Sequence, residues 1–156
     1  MKNQLLGGLR IVFIVHIVVG IIFGLGFFLI PVAFGKLYNW PLTDPYFPRM
    51  IGAAILGYTA SSWFALHANA WDKVKIVVQI EMAWTILNTL AQIWGMVTEE
   101  LPAAGWLNVV LMAAFAVAFS YYYFQEERAI AIQPKPVTLQ GNRNAPLVFP
   151  GILCHN

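Results

Sequence analysis

The chain is poor in charge. Only 10% of its 156 residues are Asp, Glu, Lys or Arg, whereas 60% are hydrophobic and the mean hydropathy is +0.68. Soluble domains carry roughly 25% charged residues, which keep their surfaces hydrated. So little charge cannot cover the surface of a water-soluble domain. We therefore predict that lipid surrounds most of the chain.

Cysteine and the common catalytic motifs are also scarce. The single cysteine, Cys154, excludes a disulfide within the chain, and no CxxC pair is present. The sequence has no GxSxG nucleophile motif and no glycine-rich phosphate loop. Its net charge of +2 is too small and too dispersed for a nucleic-acid surface. We predict no catalytic residue and favour a protein that is not an enzyme.

Four apolar runs are long enough to cross a bilayer, which takes about 20 helical residues. They are Ile11–Phe34, Met50–Ala70, Val74–Val97 and Ala103–Phe124. The first greatly exceeds the roughly 7–15 apolar residues of a signal peptide. We predict an all-α, four-helix transmembrane bundle over residues 1–128, with antiparallel neighbours. Four prolines and scattered polar residues after Phe124 predict an extended or disordered tail over residues 129–156.

The distribution of Lys and Arg predicts the orientation. Seven of the nine fall on the side of the two termini, and only Lys36 and Arg49 fall on the other. The positive-inside rule then places both termini in the cytoplasm. We predict a multi-pass protein of the cell inner membrane. The segment Leu37–Met50 lies outside.

That outer segment is rich in proline and aromatic residues, and we predict it to be a loop that interrupts both neighbouring spans. Its aromatic side chains are of the types that settle at the headgroup level. One interpretation is an interfacial plug, and the other is a ligand lid or a docking surface for a partner. The candidate interface residues are Trp40, Asp44, Tyr46, Phe47 and Arg49.

Three ionisable residues lie inside the predicted spans, where charge is costly and often functional. Counting from the inner boundary at 1.5 Å per residue places His16 about 7 Å deep, His67 about 5 Å and Glu81 about 10 Å. They therefore form one predicted layer, a candidate cofactor site. The sequence favours no cofactor, with haem, quinone or a divalent metal as alternatives. Without an ExxH or HExxH pairing, no metal ligand is assigned.

Polar and small residues repeat at helical spacing. Glu81, Thr85, Asn88 and Gln92 share one face of the third predicted span. Gly20 and Gly24 form a GxxxG in the first span, and Gly57 belongs to a similar small-residue pair in the second. Such faces permit close helix approach and interhelical hydrogen bonds in lipid, so we predict that these residues pack helices together.

The first third of the chain resembles small bacterial four-helix membrane proteins, broadly DoxX-like and related uncharacterised families. The resemblance is carried by Pro31, by Trp40 and Pro41, by Asp44 and Pro45, and by Arg49 before Gly52–Gly57. It implies the fold and no activity, and no functional residue is carried over from it.

Two functions follow as hypotheses. The first is a non-enzymatic accessory or scaffold subunit that packs against a larger membrane complex or its own copies, through the glycine-rich first helix, the outer loop and the tail. The second is a small membrane redox or transport protein that binds haem, quinone or a metal through His16, His67 and Glu81.

Overall fold

The computed structural model describes residues 5–40, 42, 44–68 and 70–132. These residues form five helices and no strand: α1 (Gly7–Leu29), α2 (Pro31–Lys36), α3 (Tyr46–Ala68), α4 (Trp71–Thr98) and α5 (Gly105–Ile132). The fold is therefore all-α, as predicted. α5 continues four residues into the segment assigned to the tail, and the rest of that segment lies outside the described residues.

The first predicted span divides in two, which corrects its predicted end at Phe34. α1 ends at Leu29 because Pro31 disfavours helical backbone at Ile30, which has φ −129° and ψ 50°. Pro31 then begins the short helix α2, a position where its missing N–H costs nothing. The break turns Phe34 back toward α1, where its ring packs at right angles to Phe27 with centroids 5.0 Å apart.

The outer segment is more helical than predicted. α3 begins at Tyr46, and its amide donates a 2.9 Å hydrogen bond to the side chain of Asp44. Pro48 lies in the first turn of α3, where an amide would have no partner within the helix, so proline is tolerated there. The loop therefore ends four residues before the predicted start of the second span at Met50.

The long helices pack chiefly as two pairs, α1 with α3 and α4 with α5, and the two pairs share a core. Phe13 and Leu9 of α1, Val74 and Val78 of α4, and Phe119 of α5 are fully buried in it. The amide of Leu6 donates a 2.7 Å hydrogen bond to Glu126, so α1 begins and α5 ends at the same end of the bundle.

Within the part of the chain that the structure describes, three helices are long and apolar enough to cross a membrane: α1, α4 and α5. Many of their large apolar side chains are exposed, including Ile11, Leu87, Val110 and Val117, each more than 60%. An apolar outer surface is what a bilayer requires. Length and surface together indicate a membrane protein. α3 is as long as α1 but is not among the three.

Candidate functional site

A buried polar chain joins three helices in the interior of the bundle. His16 of α1, Ser62 of α3 and Glu81 of α4 are 7%, 0% and 0% exposed. Nδ1 of His16 lies 2.8 Å from Oγ of Ser62, which donates a 3.0 Å hydrogen bond to Oε1 of Glu81. Nε2 of His16 lies 3.7 Å from Oε2 of the same carboxyl group. We call these three residues the polar chain.

Glycines bring α1 and α3 close enough for this contact. A Cβ built on Gly20 would lie 2.0 Å from Oγ1 of Thr59, and one built on Gly24 would lie 2.7 Å from a methyl of Leu56. Gly20 is one turn from His16, and Thr59 is one turn from Ser62, so the same faces that carry the glycine contact carry the polar chain. The two glycines of α1 that were predicted to pack helices therefore contact another helix of the same protein molecule.

The glycine of α3 that meets α1 is Gly52, a residue we had not assigned to packing. A Cβ there would lie 2.5 Å from the backbone nitrogen of Phe28 and 2.8 Å from the carbonyl oxygen of Gly24. Gly57 is not in such a contact: a Cβ on Gly57 would meet nothing within 4 Å, and the residue lies beside an open groove between α3 and α4.

The hydrogen bonds of the polar chain have a direction. The hydroxyl of Ser62 has one hydrogen, so if it donates to Glu81 its oxygen must accept from His16. The assigned order is then from Nδ1–H of His16 to Ser62 and from Ser62 to Oε1 of Glu81. A proton released by the imidazolium form of His16 can reach the carboxylate by a shift of two hydrogens along this chain, which leaves a neutral imidazole and a carboxylic acid.

Aromatic rings enclose the histidine. The His16 ring packs at right angles to the rings of Phe115 and Phe119, with centroids 5.0 Å and 5.6 Å apart. One ring nitrogen faces Ser62 and the other faces Glu81. Neither nitrogen is free to ligate a haem iron unless these contacts break. The site is shaped to hold a hydrogen-bonded imidazole.

His67 is not part of this site, although we predicted it in the same layer. It follows Ser62 by five residues, or about 140° around the helix, which turns it to another face of α3. There it is exposed, its Nδ1 lies 2.8 Å from the carbonyl of Trp63, and its ring lies 4.4 Å from the Trp63 ring. Across the described residues, no group of three or more His, Cys, Asp or Glu side chains could hold a metal ion.

The remaining stripe residues continue along α4. Thr85 is fully buried and donates a 2.7 Å hydrogen bond to the carbonyl of Glu81. Asn88 accepts a hydrogen bond from the amide nitrogen of Gln92, and both side chains are partly buried. Oε1 of Gln92 is buried with no hydrogen-bond partner among the described residues. Burial is therefore complete at Glu81 and partial at Asn88 and Gln92.

Four of the five candidate interface residues lie at or just before the start of α3, apart from the polar chain. Tyr46 and Phe47 are 61% and 66% exposed and their rings meet at right angles, 5.7 Å apart. Asp44 and Arg49 are exposed, and no ion pair joins them. Trp40 is partly buried, and its ring lies 3.2 Å from a Cβ built on Gly105, beside the start of α5.

The sequence interpretation missed Ser61 and Ser62. Ser62 is the link between His16 and Glu81, because its hydroxyl contacts both side chains. Ser61 also donates to Oε1 of Glu81, at 3.1 Å. Two adjacent serines in the middle of a predicted span were the available signal, because lipid does not hydrogen-bond to a hydroxyl.

Comparison with known proteins found no match: no protein-family model, no curated protein and no solved structure matches this chain.

Proposed function

We propose that this protein is a small multi-pass membrane protein of the transport or redox class, in which the polar chain holds and transfers a proton inside the bilayer. The observation that carries the proposal is Glu81. Its carboxyl group is fully buried, its Oε2 has no hydrogen-bond partner among the described residues, and that atom lies 3.7 Å from Nε2 of His16. Ionisable residues inside membrane spans are rare and are commonly functional.

A histidine and a carboxyl group can share one proton without changing their total charge. With the proton on His16 the pair is imidazolium and carboxylate, and with the proton on Glu81 it is neutral imidazole and carboxylic acid. Both states have zero net charge, which limits the cost of burial in a medium of low dielectric constant. Ser62 supports the transfer because it both accepts from His16 and donates to Glu81.

We further propose that all four long helices cross the membrane, with both termini in the cytoplasm of a cell whose inner membrane holds the protein. α3 packs along α1 and supplies Ser62 to the same buried chain, so it shares the depth of α1. An even number of crossings agrees with the Leu6–Glu126 hydrogen bond, which joins the first and last helices at one end. The excess of Lys and Arg on that side favours the cytoplasm.

Among the cofactors considered, the geometry favours a proton or a ligand that exchanges one, such as a quinone head group. Haem ligation by His16 and His67 would need both imidazoles to turn toward one iron. His16 is held between Ser62 and Glu81, and His67 lies on an exposed face of α3. A divalent metal would need further ligands beside His16 and Glu81.

Infrared spectroscopy of protein with isotope-labelled glutamate tests the proposal. In lipid vesicles we expect a carboxyl band that responds to pH, disappears in Glu81→Gln and changes in Ser62→Ala. Glu100→Gln, an exposed glutamate outside the helices, is the control and should leave that band in place. If Glu81→Gln and the wild type gave the same spectra throughout the titration, the carboxyl group would not exchange a proton and the proposal would fail.

A role as an accessory subunit is the second candidate, and Gln92 favours it. Its Oε1 is buried without a partner among the described residues, in a helix long and apolar enough to cross a membrane. The Gln92 side chain is partly exposed, so rotation of its amide would present Oε1 to a hydrogen-bond donor from another membrane protein. We expect a crosslinker at Gln92 to capture a discrete protein partner in native membranes, and crosslinking only to lipid would argue against this role.

A further inference from the structure

A groove of about 280 Å³ opens on the outer surface between α3 and α4. It is lined by Ala54, Gly57, Tyr58, Ser61, Val77 and Ile80. The groove exists because α3 and α4 touch more sparsely than the pairs α1 with α3 and α4 with α5, and because the α3 wall is built from small residues. Gly57 has nothing within 4 Å of a Cβ built on it.

The groove leads to the polar chain through Ser61. This serine lines the groove, and its Oγ lies 3.1 Å from Oε1 of Glu81 and 2.7 Å from the carbonyl oxygen of Tyr58. Its one hydrogen serves these two acceptors, whereas its oxygen receives no hydrogen bond from any described residue. The oxygen can therefore accept a hydrogen bond from a ligand in the groove. The rest of the lining is mainly apolar.

We infer that the groove binds an uncharged lipid-soluble alcohol or phenol, with its hydroxyl donating to Ser61 and its apolar body between α3 and α4. Three features select this occupant. The mouth opens onto the apolar outer surface, the volume is near the lower limit of about 300 Å³ for small-molecule sites, and the hydroxyl oxygen of Ser61 at the wall can accept a hydrogen bond. The Tyr58 ring, stacked on Trp84 with centroids 4.7 Å apart, adds a rigid aromatic wall.

This inference deepens the proposed function and rests on it, because Ser61 connects the ligand to Glu81. A ligand hydroxyl that donates to Ser61, while Ser61 donates to Oε1, would place the ligand at one end of the proton path. The hydroxyl group of the ligand would then determine which compounds bind, because it makes the hydrogen bond to Ser61. The apolar body would contribute only to affinity for the groove.

Photolabelling in phospholipid vesicles tests the site. The probes are a diazirine-bearing long-chain alcohol, the corresponding alkyl phenol, and the methyl ether of each, which has no donor. We expect a hydroxyl probe to label peptides of α3 and α4 around the groove about fivefold more than its ether, the value of one ordinary hydrogen bond. Preference for the phenol over the alcohol, or the reverse, identifies the source of the hydroxyl.

Three variants sharpen this test. Gly57→Leu should place a side chain in the groove, where an added Cβ meets nothing within 4 Å, and remove the labelling, whereas Ala91→Leu, on an exposed part of α4 outside the groove, should not. Ser61→Ala should remove the preference for the hydroxyl and keep the weaker ether labelling. The inference is overturned if ether and hydroxyl label equally in the wild type, if Gly57→Leu labels like the wild type, or if the groove crosslinks to a second copy of the chain.

The two proposals can fail separately. Gly57→Leu leaves the polar chain in place, so its infrared band from Glu81 should remain. Equal labelling by the hydroxyl and ether probes in the wild type, with the Glu81 band present, would overturn the ligand site alone. Absence of the band in the wild type would overturn the proton site, whatever the labelling result.

Discussion

Replacing Gly52 by alanine is expected to force α1 and α3 apart. The added Cβ would lie 2.5 Å from the backbone nitrogen of Phe28 and 2.8 Å from the carbonyl oxygen of Gly24. These are main-chain atoms of a helix and cannot rotate away as a side chain can. Overpacking of a core usually costs about 1–3 kcal/mol, and a clash with backbone should reach or exceed the upper value.

The control for Gly52→Ala is Gly57→Ala, five residues along the same helix, where the new methyl group meets open space. Both changes bring the same gain in helix propensity, about 1 kcal/mol, so only the clash distinguishes them. Unfolding in detergent micelles can be followed by circular dichroism. We expect the free energy of unfolding of Gly52→Ala to be well below that of the wild type, and that of Gly57→Ala to equal or exceed it. Equal stability of the two variants would mean that α1 and α3 do not approach as described.

Replacing Glu81 by leucine is expected to have the second large effect. Removal of one partner from a buried pair costs about 3–5 kcal/mol, because the other partner remains without compensation. For Glu81→Leu we expect the free energy of unfolding to fall by about 3 kcal/mol, because His16 can release its proton when the carboxylate is absent. Glu81→Gln should cost less, since the amide oxygen can still accept from Ser62.

The double variant His16→Leu/Glu81→Leu allows the interaction energy between the two side chains to be separated from the contribution of each residue alone. Replacing both members of a buried pair by apolar residues is often neutral or stabilising, so the double variant should lose less stability than Glu81→Leu alone. The interaction energy from the four unfolding curves should be at least about 1 kcal/mol for side chains in contact. Additive losses would show that His16 and Glu81 act independently.

Much of the fold could be predicted because its causes are local. A chain with so few charged residues and with long apolar runs predicts membrane helices, and three of those in the structure meet that description. The helix ends near proline were less predictable. Pro31 both ends α1 and begins α2, and Asp44 accepts a hydrogen bond from the first residue of α3, so the helices end and begin at other residues than the predicted span boundaries at Phe34 and Met50.

The candidate site was only partly predictable from the sequence. His16 and Glu81 were identified because ionisable residues in an apolar run are unusual, and the structure brings them together. Depth alone grouped His67 with them, but depth does not specify which face of a helix a residue occupies. The identity of the linking residue, Ser62, depends on the rotation of α3 against α1, which is fixed by the contact of Gly52 with the α1 backbone.

The hydropathy of α3 is a second example of what a sequence leaves undetermined. α3 is as long as α1, yet its sequence carries Arg49, His67 and the run Tyr58–Ser62, which lower its hydropathy. Two of those hydroxyl groups lie inside the bundle: Ser62 is fully buried, and the buried Thr59 donates a 2.8 Å hydrogen bond to the carbonyl of Ile55. A composition measure cannot distinguish hydroxyls that face lipid from hydroxyls that face a neighbouring helix.

The distance between His16 and Glu81 in a lipid bilayer is the measurement that tests this account most directly. Solid-state NMR of the full chain in vesicles, with nitrogen-labelled histidine and carboxyl-labelled glutamate, reports it through dipolar coupling. With Nε2 and Oε2 3.7 Å apart, we expect a measurable coupling between the imidazole nitrogen and the carboxyl carbon that disappears in His16→Gln and persists in His67→Gln. Absence of coupling in the wild type, or coupling lost only in His67→Gln, would contradict a proton site formed by His16 and Glu81.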